Sequence, residues 1–119
     1  MEYEFRKGVS DCLIVDVKSA IVAEELLEIY GIILKKKKKL KGVIFDVTKV
    51  AKPPNAADTF ELIKALGEFT KRNIKVAALL SPENNIKERF GLNVAINRGI
   101  MYRRFLDKKS AEDWISKAH

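Results

Sequence analysis

Histidine and cysteine are almost missing from this sequence: the one histidine is the terminal His119 and the one cysteine is Cys12. A lone thiol rules out an intramolecular disulfide and a Cys-pair zinc site, and without further histidines most metal-dependent and Ser–His–Asp chemistries have no ligand set or base. Long apolar runs are missing too. The longest, such as "CLIV", fall far short of the roughly 20 residues that span a bilayer, and no charged n-region precedes an apolar stretch. A cytoplasmic protein with no membrane span is expected. Neither G-x-G-x-x-G nor a Walker-type loop occurs, so the backbone amides that cradle nucleotide phosphates are not provided. No metal and no cofactor is expected.

The 119 residues are 47% hydrophobic and 33% charged, a globular balance, and suit one domain spanning 1–119. Net charge is +7, with the excess concentrated in one place. Residues 1–34 hold three Lys or Arg against seven Asp or Glu, residues 35–52 hold eight against one, and the rest hold twelve against eight.

Periodicity supplies the elements. "YEFRK" alternates, with Tyr3 and Phe5 on one face, and "CLIVDV" is rich in β-branched residues; the intervening "GVSD" is turn chemistry, so the chain opens with an antiparallel hairpin. From Ser19, a plausible N-cap, the apolar residues Val22, Leu26, Leu27, Tyr30, Ile33 and Leu34 recur at helical spacing, and lysines 35–39 form the last turn. "GVIFDVTKV" reads as a strand buried on both faces of a parallel sheet. Asn55 then caps a helix with Asp58 at its third position and Phe60, Ile63, Leu66 and Phe69 as its apolar stripe, ended by Asn73. "IKVAALL" is the next strand; Ser81 and Pro82 open a third helix that runs to Arg98 and closes at Gly99. "IMYRRF" is the last strand. Asp107 or Ser110 caps a short final helix with Ala111, Trp114 and Ile115 as its buried edge. The order ββαβαβαβα, with four helices, implies an α/β fold: a mostly parallel sheet of about five strands opened by an antiparallel N-terminal strand.

Lys35, Lys36, Lys37, Lys38, Lys39 and Lys41 are a candidate anion patch. A charge run at a helix end is ordinarily a solvated surface whose stems cover apolar neighbours, and the aromatic platforms of nucleic-acid grooves are not interleaved with it. Nucleic acid is the weakest of the partner readings. In a parallel sheet, ligands bind beyond the carboxyl ends of the strands, which directs attention to residues 16–19, 46–55, 80–85 and 105–108. Asp16 and Asp46 are carboxylates near two strand ends, yet no nucleophile or metal ligand accompanies them, and both are expected to bind loop amides. Helix starts at Asn55 and Ser81 expose amides, for which plain capping is the ordinary use. Thr48 and Thr59 have no partner base. No catalytic residue is assigned.

The succession of "CLIVDV", "GVIFDVT", a proline-containing loop, "IKVAALLSP", "NRGI" and "MYRRFLDKKSAEDWI" resembles the STAS domain superfamily, most nearly its small stand-alone, SpoIIAA-like bacterial proteins. The resemblance covers almost the whole chain and implies a SpoIIAA-like/STAS fold. In the anti-sigma-factor antagonists, an Asp-Leu-Ser stretch after the third strand is followed by Asp-Ser-Ser-Gly, whose serine at the helix start a partner kinase phosphorylates. Asp46, Val47 and Thr48 match the first stretch; the second falls on Pro54, Asn55, Ala56 and Ala57 and lacks the acceptor hydroxyl. Thr48 or Thr59 would have to stand in for it. The resemblance implies a non-enzymatic regulatory module that meets a protein partner, or a carrier or sensor of a small apolar or anionic ligand. Asp46, Thr48, Lys49, Asn55, Asp58, Thr59 and Ser81 are the candidate contact residues, and a second copy of the chain is a further candidate partner.

Overall fold

A computed structural model describes residues 1–36, 39–87 and 89–117. Its sheet has five strands in chain order: β1 (Tyr3–Lys7) lies antiparallel to β2 (Cys12–Val17), and β3 (Gly42–Asp46), β4 (Lys75–Leu79) and β5 (Tyr102–Phe105) follow in parallel. The helical segments among the described residues are α1 (Ala23–Leu34), α2 (Ala56–Ala65), α3 (Gly67–Lys71), α4 (Pro82–Lys87), α5 (Arg89–Asn97) and α6 (Lys108–Ser116).

When strand order follows chain order and every crossover has the same hand, all connecting helices fall on one face of the sheet. The core is divided accordingly. Val15, Val17, Val43, Phe45, Val76 and Ala78 point to the face where α1, α2, α3 and α5 pack, with Ile29, Tyr30, Ile63 and Phe69. The alternate residues Cys12, Ile14, Ile44, Ala77 and Leu79 meet Ala111 and Ile115 of α6, which covers the second face. This double burial makes β2, β3 and β4 almost wholly apolar. Tyr30 meets Phe45 and Phe69 edge to face, joining α1 to the sheet and to α3.

Several expected termini are present. Asn55 Oδ1 accepts the Asp58 N–H at 2.8 Å, and Ser81 Oγ accepts the Asn84 N–H at 3.2 Å. Asn73 and Gly99 both have positive φ, with Ile74 N–H reaching Phe69 O and Ile100 N–H reaching Ala95 O at 2.9 Å, the closing pattern of a left-handed C-terminal turn. Of the two candidate caps for α6, Asp107 is the one used: its Oδ1 accepts the Ser110 N–H at 2.8 Å.

Other expectations are corrected. Ser19 does not cap α1, because its Oγ accepts the Glu2 N–H at 2.7 Å; α1 starts after Val22 with no side-chain cap. Lys35, Lys36 and Lys39 are not its last turn, and Lys37 and Lys38 lie outside the described residues. The helix ends at Leu34, whose carbonyl accepts from Arg72 Nη1, and Lys35 follows as the C-cap. Continuing the helix would stack like charges at i, i+3 and i+4 spacing, which disfavours it. The helix capped by Asn55 divides at Leu66, where the Leu66 N–H bonds three residues back to Ile63 O at 3.0 Å, tightening the turn before Gly67. Trp114 is only half-buried.

Candidate functional site

Beyond the carboxyl ends of the parallel strands, the chain between β3 and α2 forms an exposed loop held at several points. Asp46 Oδ1 accepts both the Thr48 N–H at 3.1 Å and the Thr48 hydroxyl at 2.7 Å, closing a local turn. Val47 and Val50 tuck inward against the core. Asn84, 2% exposed, donates from Nδ2 to the Val50 carbonyl at 2.9 Å, tying the middle of the loop to the start of α4. The Asn55 cap closes its far end. Thr48, Lys49, Ala51, Lys52, Asn55, Ala56 and Ala57 remain exposed along it.

The candidate contact residues divide between this outer surface and the interior. Asp46, Thr48, Lys49 and Asn55 belong to the loop, Asp58 is half-buried in the first turn of α2, and Ser81 is half-buried at the start of α4. Thr59 faces inward: it is 6% exposed and its hydroxyl donates to Pro54 O at 3.2 Å. It lines an apolar cavity of about 80 Å³ between sheet and helices, together with Tyr30, Phe45, Val50, Leu62 and Asn84.

Asp16 is also corrected. Sequence reasoning paired it with loop amides, but the residue is buried and its carboxylate is held by two cations: Lys49 Nζ at 3.2 Å and Arg6 Nη2 at 3.4 Å. Arg6 also reaches Asp46 at 4.0 Å, and Asp16 and Asp46 are register partners across β2 and β3. The two carboxylates stand side by side because β1 and the loop each bring a cation to them. This is a charge-compensated strut between strand and loop. Among the described residues no group of three or more His, Cys, Asp or Glu is placed to hold a metal.

The basic residues are dispersed by the fold. Lys35 caps α1, and Lys36 lies 5.1 Å from the centre of the Phe5 ring, while Lys37 and Lys38 fall outside the described residues. Lys39 and Lys41 line a cleft at the amino-terminal edge of the sheet with Arg72 and Lys117. Arg103 lies over the Phe105 and Trp114 rings, whereas Arg104 Nη1 donates to Asn85 O on the other side of the sheet.

Sequence reasoning missed Asn84 and Arg6 as determinants of the loop's shape. Nothing in "SPENN" distinguishes the asparagine that turns inward, and Arg6 reads as the polar half of an alternating strand. No protein-family model matches the chain, and no curated protein matches it. No helix among the described residues is long and apolar enough to cross a membrane.

Proposed function

We propose that this chain is a non-enzymatic, STAS-like interaction module of the cytoplasm that binds a protein partner through the loop after the third strand and the start of the following helix. The observation that carries this reading is the bond from buried Asn84 to Val50 O, which holds an otherwise exposed loop in one shape. A surface segment that is both exposed and preformed loses little entropy on docking. Apolar side chains accompany it at the same end of the sheet: Ile86 of α4 is 71% exposed and Leu106, directly after β5, is 55% exposed. Asp58 adds a half-buried carboxylate in the first turn of α2, directly after the loop.

The test is site-specific photo-crosslinking from exposed Ala56 in the source cells, with a control probe on α6. The reading expects one protein trapped from position 56, absent from the control and lost in Asp58→Lys while the variant stays folded. Identical products from both positions, or retention in Asp58→Lys, would refute it.

A second reading, a carrier or sensor of a small apolar molecule, draws support from the cavity behind the loop. At about 80 Å³ it is roughly half the volume that accepts a benzene molecule in an engineered core, so a larger ligand needs the loop to move outward. The geometry therefore favours the docking surface. Native mass spectrometry of gently purified protein decides the matter: a small mass lost on denaturation supports the carrier, and a bare chain removes it.

A further inference from the structure

At the amino-terminal edge of the sheet, opposite the candidate docking loop, three separate segments converge on a cleft of about 260 Å³. The connection before β3 contributes Lys39 and Lys41, the end of α3 contributes Arg72, and the end of α6 contributes Lys117; Leu40 and Ile115 supply its apolar lining. We infer that this cleft is a binding site for a small polyphosphate anion.

The carboxyl ends of α1, α3 and α6 all lie near this edge, and cations beside helix carboxyl ends are ordinarily explained by the helix dipole. That explanation covers two of the basic residues here. Arg72 Nη1 donates to Leu34 O at the end of α1, and Lys75, buried beneath the edge, donates from Nζ to Trp114 O at 2.8 Å and Lys117 O at 3.0 Å at the end of α6. With those carbonyls taken, the side chains of Lys39, Lys41 and Lys117 have no such task.

Nor are they neutralised. Lys18, Lys49, Lys64 and Lys71 each pair with a carboxylate; among the described residues Lys39, Lys41, Arg72 and Lys117, like several other surface cations, have none within ion-pair distance, and these four share one cleft. No acidic residue lines the cleft. Four basic residues from three segments line this one cleft, and a multivalent anion there would offset their like charge. Lysine ammoniums and an arginine fork are the donors that hold phosphate oxygens. The volume lies below the about 300–1,000 Å³ of pockets that take drug-sized ligands, which suits a di- or triphosphate group. No aromatic residue lines the cleft, so the stacking that retains single-stranded nucleic acid is not offered there.

The experiment is calorimetric titration of the full chain with inorganic triphosphate at about 0.15 M salt, where unfocused surface attraction is largely screened. One saturable site is expected. Lys41→Glu and Lys117→Gln should each weaken it about tenfold or more, the loss of one charge-assisted contact. Lys109→Glu, an exposed change of equal charge at the far end of α6, should leave affinity within about twofold. Equal weakening by Lys41→Glu and Lys109→Glu would show a protein-wide field in place of a site. Absence of saturable binding would overturn the inference, as would displacement of triphosphate by an oligonucleotide at matched phosphate concentration, which assigns the cleft to nucleic acid.

Discussion

Gly42 opens β3 directly beneath α6, and a Cβ built there stands 2.5 Å from Ile115 Cγ2, 2.8 Å from its Cγ1 and 2.9 Å from its Cδ1. Carbon atoms pack best at about 3.5–4.0 Å, so Gly42→Ala requires a relative shift of at least about 1 Å. Ile115 is β-branched and stiff at χ1, and it is wedged among Ile14, Ile44 and Ala77, so the helix itself has to lift. Overpacking of this kind costs about 1–3 kcal/mol, offset by about 0.4–1 kcal/mol because alanine restricts the unfolded chain. A net destabilisation of about 1.3 kcal/mol follows. With a urea m-value of about 1–3 kcal/mol/M, the midpoint should fall by roughly 0.6 M. The sole tryptophan, Trp114, lies on α6 beside Ile115 with its ring 5.7 Å from that of Phe105, so its fluorescence reports both unfolding and helix displacement. Ile115→Ala alone should cost about 2–5 kcal/mol. In the double variant the new Cβ occupies vacated space, and the two effects should fall well short of their sum. An unchanged midpoint with unchanged Trp114 emission in Gly42→Ala, or additivity within about 0.5 kcal/mol in the double variant, would refute the reasoning.

Asn84→Ala leaves the Val50 carbonyl without its donor, at about 1–3 kcal/mol, and should raise amide exchange in residues 48–52 while β3 and β4 stay protected; unchanged exchange there would remove Asn84 as the loop's anchor. Cys12 lies beneath α6 and burial pushes its thiol up to about 11, so a thiol-specific disulfide reagent at pH 8 should label it only as fast as the protein opens, and rapid labelling of native protein would contradict that burial. Asp107 is held below its ordinary value of 3.8 by the Ser110 N–H and hydroxyl. A depressed carboxyl contributes stability above its unfolded value that is lost as pH falls through the folded one, so acid should loosen α6 below about pH 3.8. Asp107→Asn, which caps without titrating, should abolish that component of a Trp114 acid titration.

The coarse architecture was legible because its signals are local. Apolar runs too short for helices and bounded by turn residues marked β2, β3 and β4, and the change to helical spacing marked the segments between them. Caps were legible for the same reason: Asn55, Ser81 and Asp107 each act within three residues of themselves. Local signals failed where a distant residue competes for the same group. Ser19 has the chemistry of an N-cap, but Glu2, 17 residues away, uses it. The lysine run has the chemistry of a helix end, but Arg72, 38 residues from Leu34, takes up the carbonyl where α1 stops.

The amino-acid order alone settled that alternating strands and helices build an α/β sheet opened by an antiparallel strand, since periodicity and turn chemistry depend only on near neighbours. It also settled that histidine and cysteine each occur once. Tertiary structure decided the division of the core between two faces, the pairing of Asp16 with Arg6 and Lys49, the inward turn of Thr59 and Asn84, and the gathering of Lys39, Lys41, Arg72 and Lys117 about one cleft. Most of these join segments far apart in sequence, and a contact between distant segments exists only once the sheet has set their distance and direction.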